Sequence, residues 1–373
     1  MNRDDVPGTR QDGDRRGPLC ILHIGAEKTG TTSIQESLFL NRGLLAARGI
    51  GWPGFLGERN HKLLAAAALA HDSPDAAMIG NAFHGDRAAH ATFRKGAMAD
   101  LSALATAHDA IIVSSEDLQR LPAAAVWRLG DLLAPHFSRF QVVMFAPRQD
   151  VLALRRRAQL IRSGHVPAGV LPALSTAEER RFYNYAEILN DWSAVFGEGS
   201  VRVVAVGPGS AEASADSVAL FYRTLGVEAD GFAATARLNR SPDSASLMIL
   251  EALTLQHPRA DRLRGVLERR LASIPHFELP PVGRDAVYAF LATFEGCNEE
   301  LGRRWLEGVR PFDTAPDDYP TDDPEGAIRL EAERRLHILV GEDEMSSAVR
   351  PLIEHGLPRI EPPQLQGAVT ALQ

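Results

Sequence analysis

The stretch LHIGAEKTGTTSIQESL, Leu22 to Leu38, sets Lys28 and four hydroxyl residues, Thr29, Thr31, Thr32 and Ser33, around Gly30, where an apolar run gives way to a helical pattern. With Gly25 and Gly30 framing a turn and Thr31, Thr32 and Ser33 opening a helix, successive backbone N–H groups converge on one point, and the helix dipole favours negative charge there. A phosphate or a sulfate is the ligand such a turn suits. The familiar triphosphate loop, G-x-x-x-x-G-K-[ST], places its lysine after the second glycine, whereas Lys28 precedes Gly30. The plainer alternative is a glycine turn with a capping threonine and a solvated lysine.

Composition bounds the partners. The chain has 373 residues, 45% of them hydrophobic and 24% charged, with a formal charge of −8. That balance argues against a broad nucleic-acid surface, so any anion must be met by a local basic pocket. Cys20 and Cys297 are the two cysteines, too few for a disulfide framework. The apolar run Leu63 to Ala70 falls far short of the ~20 residues that span a bilayer, and the N-terminus lacks the apolar segment of a signal peptide. The expectation is a cytoplasmic protein with no membrane span.

The elements that must carry the turn follow from the pattern. Residues 1–17 are polar and aperiodic and are expected to be a disordered tail. Beyond them short apolar runs, LCILHIG, DAIIVSSE, FQVVMFAPR and SVRVVAVG, alternate with amphipathic stretches such as SIQESLFLNRGLLAARG and YAEILNDWSAVFGEG. Continuous apolar strands imply cover on both faces, hence a three-layer α/β/α fold with a central, mainly parallel sheet, followed by C-terminal helices. Residues 18–314 are read as one α/β domain, and 315–373, opening on a proline and aspartate cluster, as a linker with a helical extension.

The string HIGAEKTGTTSIQ resembles the 5′-phosphosulfate loop of sulfotransferases that use 3′-phosphoadenosine 5′-phosphosulfate, in the bacterial branch written G-x-x-K-T-G-T-T-S. Later segments resemble that branch in order: IIVSSEDL, VVMFAPRQDVLALRRR, YNYAEILNDWSAVFGEGSVRVVAV, LNRSPDSASL and FEGCNEELGRRWL, so that the likeness runs from about Leu19 to Asp313. It implies a P-loop-like sulfotransferase fold and transfer of a sulfuryl group to a hydroxyl or amine of a carbohydrate, lipid or small-molecule acceptor, with no metal required.

The resemblance also distributes roles. Lys28 would stabilise charge on the bridging oxygen, and the amides of Thr29, Gly30, Thr31, Thr32 and Ser33 would hold the 5′-phosphate. A Glu or His beyond the second strand takes the acceptor's proton in the family, a role that falls to Glu116, with Asp117 next to it as the other carboxylate. For the 3′-phosphate the family uses an Arg at a strand end and a Ser eight positions on. Strict spacing puts Pro147 and Arg155 there, and Arg148 stands one residue displaced. On a helix starting near Asp150, Val151, Leu154, Ala158 and Ile161 share a face, Arg155 and Arg157 flank it and Arg156 points away, so Arg148 and Arg155 are the candidates. Asn239, Arg240 and Ser241 are further nucleotide contacts, although an N-cap before Pro242 explains Ser241 equally well. His61, preceding an apolar helix, is the candidate acceptor contact. Two other readings stay open: a P-loop small-molecule kinase with Glu116 or Asp117 on magnesium, and a nucleotide-binding protein without turnover.

Overall fold

Leu19–Gly25, Ala110–Ser114, Arg139–Pro147 and Val201–Val206 form strands because their continuous apolar runs can be covered on both faces only inside a parallel sheet. The computed structural model describes residues 17–70, 82–213, 215–234, 241–313, 317–340, 343–354 and 356–357. Its sheet contains β1 (Leu19–Gly25), β2 (Ile50–Gly51), β3 (Ala110–Ser114), β4 (Arg139–Pro147) and β5 (Val201–Val206) in the order β2-β3-β1-β4-β5. Every pairing is parallel, with Leu22 of β1 registered against Val113 on one side and Val142 on the other. The α/β class read from the apolar runs is what the chain adopts. Connections from β1 and β4 leave in opposite directions, so the carboxyl ends of these neighbours flank the crevice where open α/β sheets collect ligands.

The chain divides into two compact units. One takes the chain up to Arg148 with Asn184–Leu238 and Cys297–Phe312; the other takes Gln149–Tyr183, Asn239–Gly296 and the chain from Asp313. The first holds the whole sheet. Under one sheet face Ile21, Ile34, Leu38, Val143, Phe145 and Phe221 pack together, all buried. Tyr185, Leu189 and Trp192 of the helix Tyr185–Phe196 are fully buried, as their helical spacing implies. The stretch expected as one helix after the turn is two, Thr31–Leu40 (α1) and Arg42–Ala47. Asn41 breaks it by exchanging hydrogen bonds of 2.7 and 3.2 Å with the backbone of Ala233.

In the second unit every strand signal is gone and the described elements are helices, among them Gln149–Arg162, Ser244–Gln256 and Glu325–Val340. Their core is aliphatic, built on Ile161, Met248, Leu250, Leu267 and Leu336. Part of the proline and aspartate cluster is packed here: Tyr319 is 6% exposed and its hydroxyl donates to Asp150 at 2.6 Å. No helix among the described residues is long and apolar enough to cross a membrane.

Candidate functional site

The turn after β1 is held from three sides. Ala26 N–H donates to the Phe145 carbonyl of β4 at 2.7 Å, Thr29 Oγ1 donates to the Ala26 carbonyl at 2.7 Å, and Glu27 N–H donates to Gln119 Oε1 at 3.3 Å. Glu27 is also ion-paired with Arg120. Gly25 and Gly30 have φ of 115° and 88°, and Lys28 itself sits in the left-handed region at 63°. Gly30 is doubly constrained, because a Cβ there would stand 2.2 Å from Ser217 Oγ. Gly30 begins α1, and no side chain caps that end. The first intrahelical bond is Ile34 N–H to the Gly30 carbonyl at 3.0 Å, so the amides of Thr31, Thr32 and Ser33 precede it and need partners from outside the helix. A helix start with free amides is the kind of place that suits an anion.

Beyond β3, Ser115 caps a single 3₁₀ turn, Glu116–Arg120. Glu116 opens it and is brought to the loop: a Cβ on Gly25 would lie 3.6 Å from Glu116 Cα. Gln35 Nε2 and Asn60 Nδ2 both donate to Glu116 Oε2, at 3.0 and 3.2 Å. Asp117 is occupied differently, accepting from Ser115 Oγ at 3.3 Å. Burial first, and then the adjacent Glu116 charge, push the Asp117 carboxyl up from its ordinary value, against the pull of Arg120.

Gln35, Asn60, Gln119 and Arg120 were not among the residues singled out from sequence. Gln35 carried a usable signal, since it lies four positions after Thr31 and shares its helix face. Asn60 carried a weaker one, the turn-forming string GERN before an apolar helix.

His61 offers no accessible surface. Its Nδ1 accepts from Ser114 N–H at 3.1 Å, its own N–H donates to the Ser114 carbonyl at 3.0 Å, and its ring lies 4.0 Å from that of Trp52. It therefore cannot touch an acceptor directly; it fastens Asn60 to the end of β3. His23 of β1 is equally buried, with Nδ1 2.8 Å from Ser114 Oγ. Burial lowers the pKa of each histidine from the ordinary 6.5 to about 3. The folded protein thus keeps both neutral while the unfolded chain protonates them near 6.5. Stability should be complete above that pH and fall as pH drops towards 3, by up to ~1.4 kcal/mol per pH unit for each histidine. Denaturant midpoints between pH 7 and 4 check this, and His61→Gln should flatten the profile; an unchanged slope contradicts it.

The remaining sequence candidates fall in both units. Arg148, at the end of β4, is 1% exposed, while the Pro147 carbonyl before it accepts from Tyr185 Oη at 2.8 Å. In the second unit, Arg155 is half-buried on the helix Gln149–Arg162, and burial lowers its pKa. Its neighbours are engaged, Arg157 with Glu251 at 2.6 Å and Arg156 over the Phe182 ring at 4.2 Å. Ser241 is exposed, and the N-cap of Ser244–Gln256 is Asp243 rather than Ser241. Asn239 and Arg240 lie outside the described residues.

No protein-family model matches the chain, and no curated protein matches it. Among solved structures, a sulfotransferase from Alicyclobacillus acidocaldarius aligns at 17% identity, covering 69% of this chain and 97% of that one, with a TM-score of 0.35. At that score the two traces share too little for the neighbour's activity to transfer.

Proposed function

We propose that this chain is a sulfotransferase that moves the sulfuryl group of 3′-phosphoadenosine 5′-phosphosulfate to a hydroxyl or amine of a carbohydrate, lipid or small-molecule acceptor. The observation that carries the reading is the pairing of an uncapped α1 N-terminus, preceded by Lys28, with a carboxylate, Glu116, whose backbone packs against Gly25. Thr29 to Ser33 then bind the 5′-phosphate through their amides. The acceptor oxygen attacks sulfur, its proton passes to Glu116 Oε1, and the bond from sulfur to the bridging oxygen breaks. Negative charge grows on that oxygen, where Lys28 stabilises it. Arg148, Arg155, Asn239, Arg240 and Ser241 enter the proposal from the sequence resemblance alone, as contacts to the nucleotide. His61 enters it only through Asn60.

Thermal shift with 3′,5′-bisphosphoadenosine tests the reading. A ligand at a hundred times its Kd stabilises by ~2.7 kcal/mol, which for a chain of this size is a rise of several degrees. The rise is expected without magnesium, and ATP with magnesium should give less. Stabilisation by magnesium and ATP alone would replace this reading with a phosphotransferase.

A further inference from the structure

We infer that Asn60 and Gln35 are positioning residues that aim Glu116, a role that rests on the proposed sulfuryl transfer. Both amides donate to the same oxygen, Oε2, at 3.2 and 3.0 Å, which restrains the rotation of the carboxylate and leaves Oε1 as the oxygen that neither amide holds. A carboxylate with one oxygen tied twice has little rotational freedom left, and freezing a reacting group is worth orders of magnitude in rate.

The way each amide is delivered shows how much of the fold is committed to this. Gln35 is 5% exposed on α1, the helix whose N-terminus is the proposed anion site, so one rigid element references the base and the sulfuryl donor to each other. Asn60 arrives on a turn that only glycine can close: Gly57 has φ 130°, and a Cβ there would lie 2.1 Å from the Asn60 carbonyl oxygen. Arg59 ties that turn to α1 through Glu36 at 2.6 Å, next to Gln35. His61 ties it to Ser114, two residues before Glu116.

This arrangement also costs stability. Asn60 must present its NH₂ to a carboxylate, and its Oδ1 is left buried with no partner, as is His61 Nε2 next to it. An unsatisfied buried polar group is destabilising, and an orphaned acceptor, Asn60 Oδ1, next in sequence to an orphaned donor, His61 Nε2–H, is more economically explained by a constraint on Glu116 than by folding.

The test is a double-mutant cycle read in kcat and in donor affinity. Asn60→Leu and Gln35→Leu should each lower kcat by ~10–100-fold while the KM for the sulfuryl donor and the Kd for 3′,5′-bisphosphoadenosine stay within about twofold. In a Glu116→Gln background the same substitutions should cost less than about threefold, because the group they aim has gone. Full cost in that background, or unchanged kcat, overturns the assignment. If the wild type transfers no sulfuryl group to any acceptor, the functional reading fails, and the assignment is judged by unfolding. Coupling of Asn60→Leu with Glu116→Gln by about threefold or more in the folding equilibrium keeps the amide and carboxylate linked; additivity overturns the link as well.

Discussion

Lys28→Ala is expected to lower kcat for sulfuryl transfer by ~10²–10³-fold, with a much smaller change in the affinity for 3′,5′-bisphosphoadenosine. The asymmetry follows from when the charge develops. In the proposed transfer the bridging oxygen gains its negative charge only as the bond to sulfur breaks, so an ammonium beside it would act on the transition state, while the amides of Thr31 to Ser33 would meet a phosphate that is charged throughout. The backbone makes the experiment unusually clean. Lys28 holds φ at 63°, a conformation that costs an L-residue ~1–2 kcal/mol and glycine almost nothing. Lys28→Ala keeps that strain and Lys28→Gly removes it. Both should be equally poor catalysts, but the glycine variant should melt at a higher temperature than the alanine variant. Turnover that tracked the melting temperature across the pair, or that survived within about threefold, would remove the ammonium from the mechanism.

Legibility of the fold depended on how local each cause was. Four strands were readable because cover on both faces makes their sequence continuously apolar, as in β1, where all seven residues are buried. β2 is two residues long and leaves no period to read. The break at Asn41 answers to Ala233, 192 positions away. The site divides in the same manner. The glycine turn after β1 is written in one string, since its glycines, its lysine and its helix start are contiguous. The pairs that hold Glu116 and the turn, Gln35–Glu116, Asn60–Glu116 and Glu27–Gln119, are separated by 81, 56 and 92 positions, and a single chain read linearly has no means of joining them. Asp243 shows the same limit from another side. Ser241 and Asp243 are both good caps by type, and the choice is made by Phe277 N–H and Arg335, which only the folded second unit brings to Asp243.

That buried pair carries the second large effect, Arg335→Met, which should destabilise the second unit by ~3–5 kcal/mol. Arg335 is fully buried, with Nη1 donating to both Asp243 oxygens at 2.9 and 3.0 Å and to Ser246 Oγ at 2.7 Å. Its Nη2 reaches the Pro275 carbonyl at 2.8 Å and its Nε reaches Glu331 at 2.8 Å. Asp243 in turn caps the helix Ser244–Gln256 by accepting from Ser246 N–H at 2.9 Å. Burial alone would raise the Asp243 pKa, but the amides of Ser246 and Phe277 and the Arg335 charge outweigh it and hold the carboxyl below its ordinary value. A depressed carboxyl stabilises the fold above its unfolded pKa, so this contribution is present at neutral pH and is lost as pH falls through the folded value. Methionine leaves the carboxylate buried with its amide partners and with His276, whose Nδ1 lies 3.6 Å from Oδ2, and most of the cost comes from the charge stripped of its guanidinium rather than from the lost attraction. The discriminating variant is therefore the double replacement Arg335→Met with Asp243→Asn, measured by hydrogen exchange in the helix Ser244–Gln256. It should recover part of the loss, because asparagine keeps the cap without the charge. If the double variant exchanged faster than Arg335→Met alone, the Asp243 cap would depend on charge and the guanidinium would be a bystander to it.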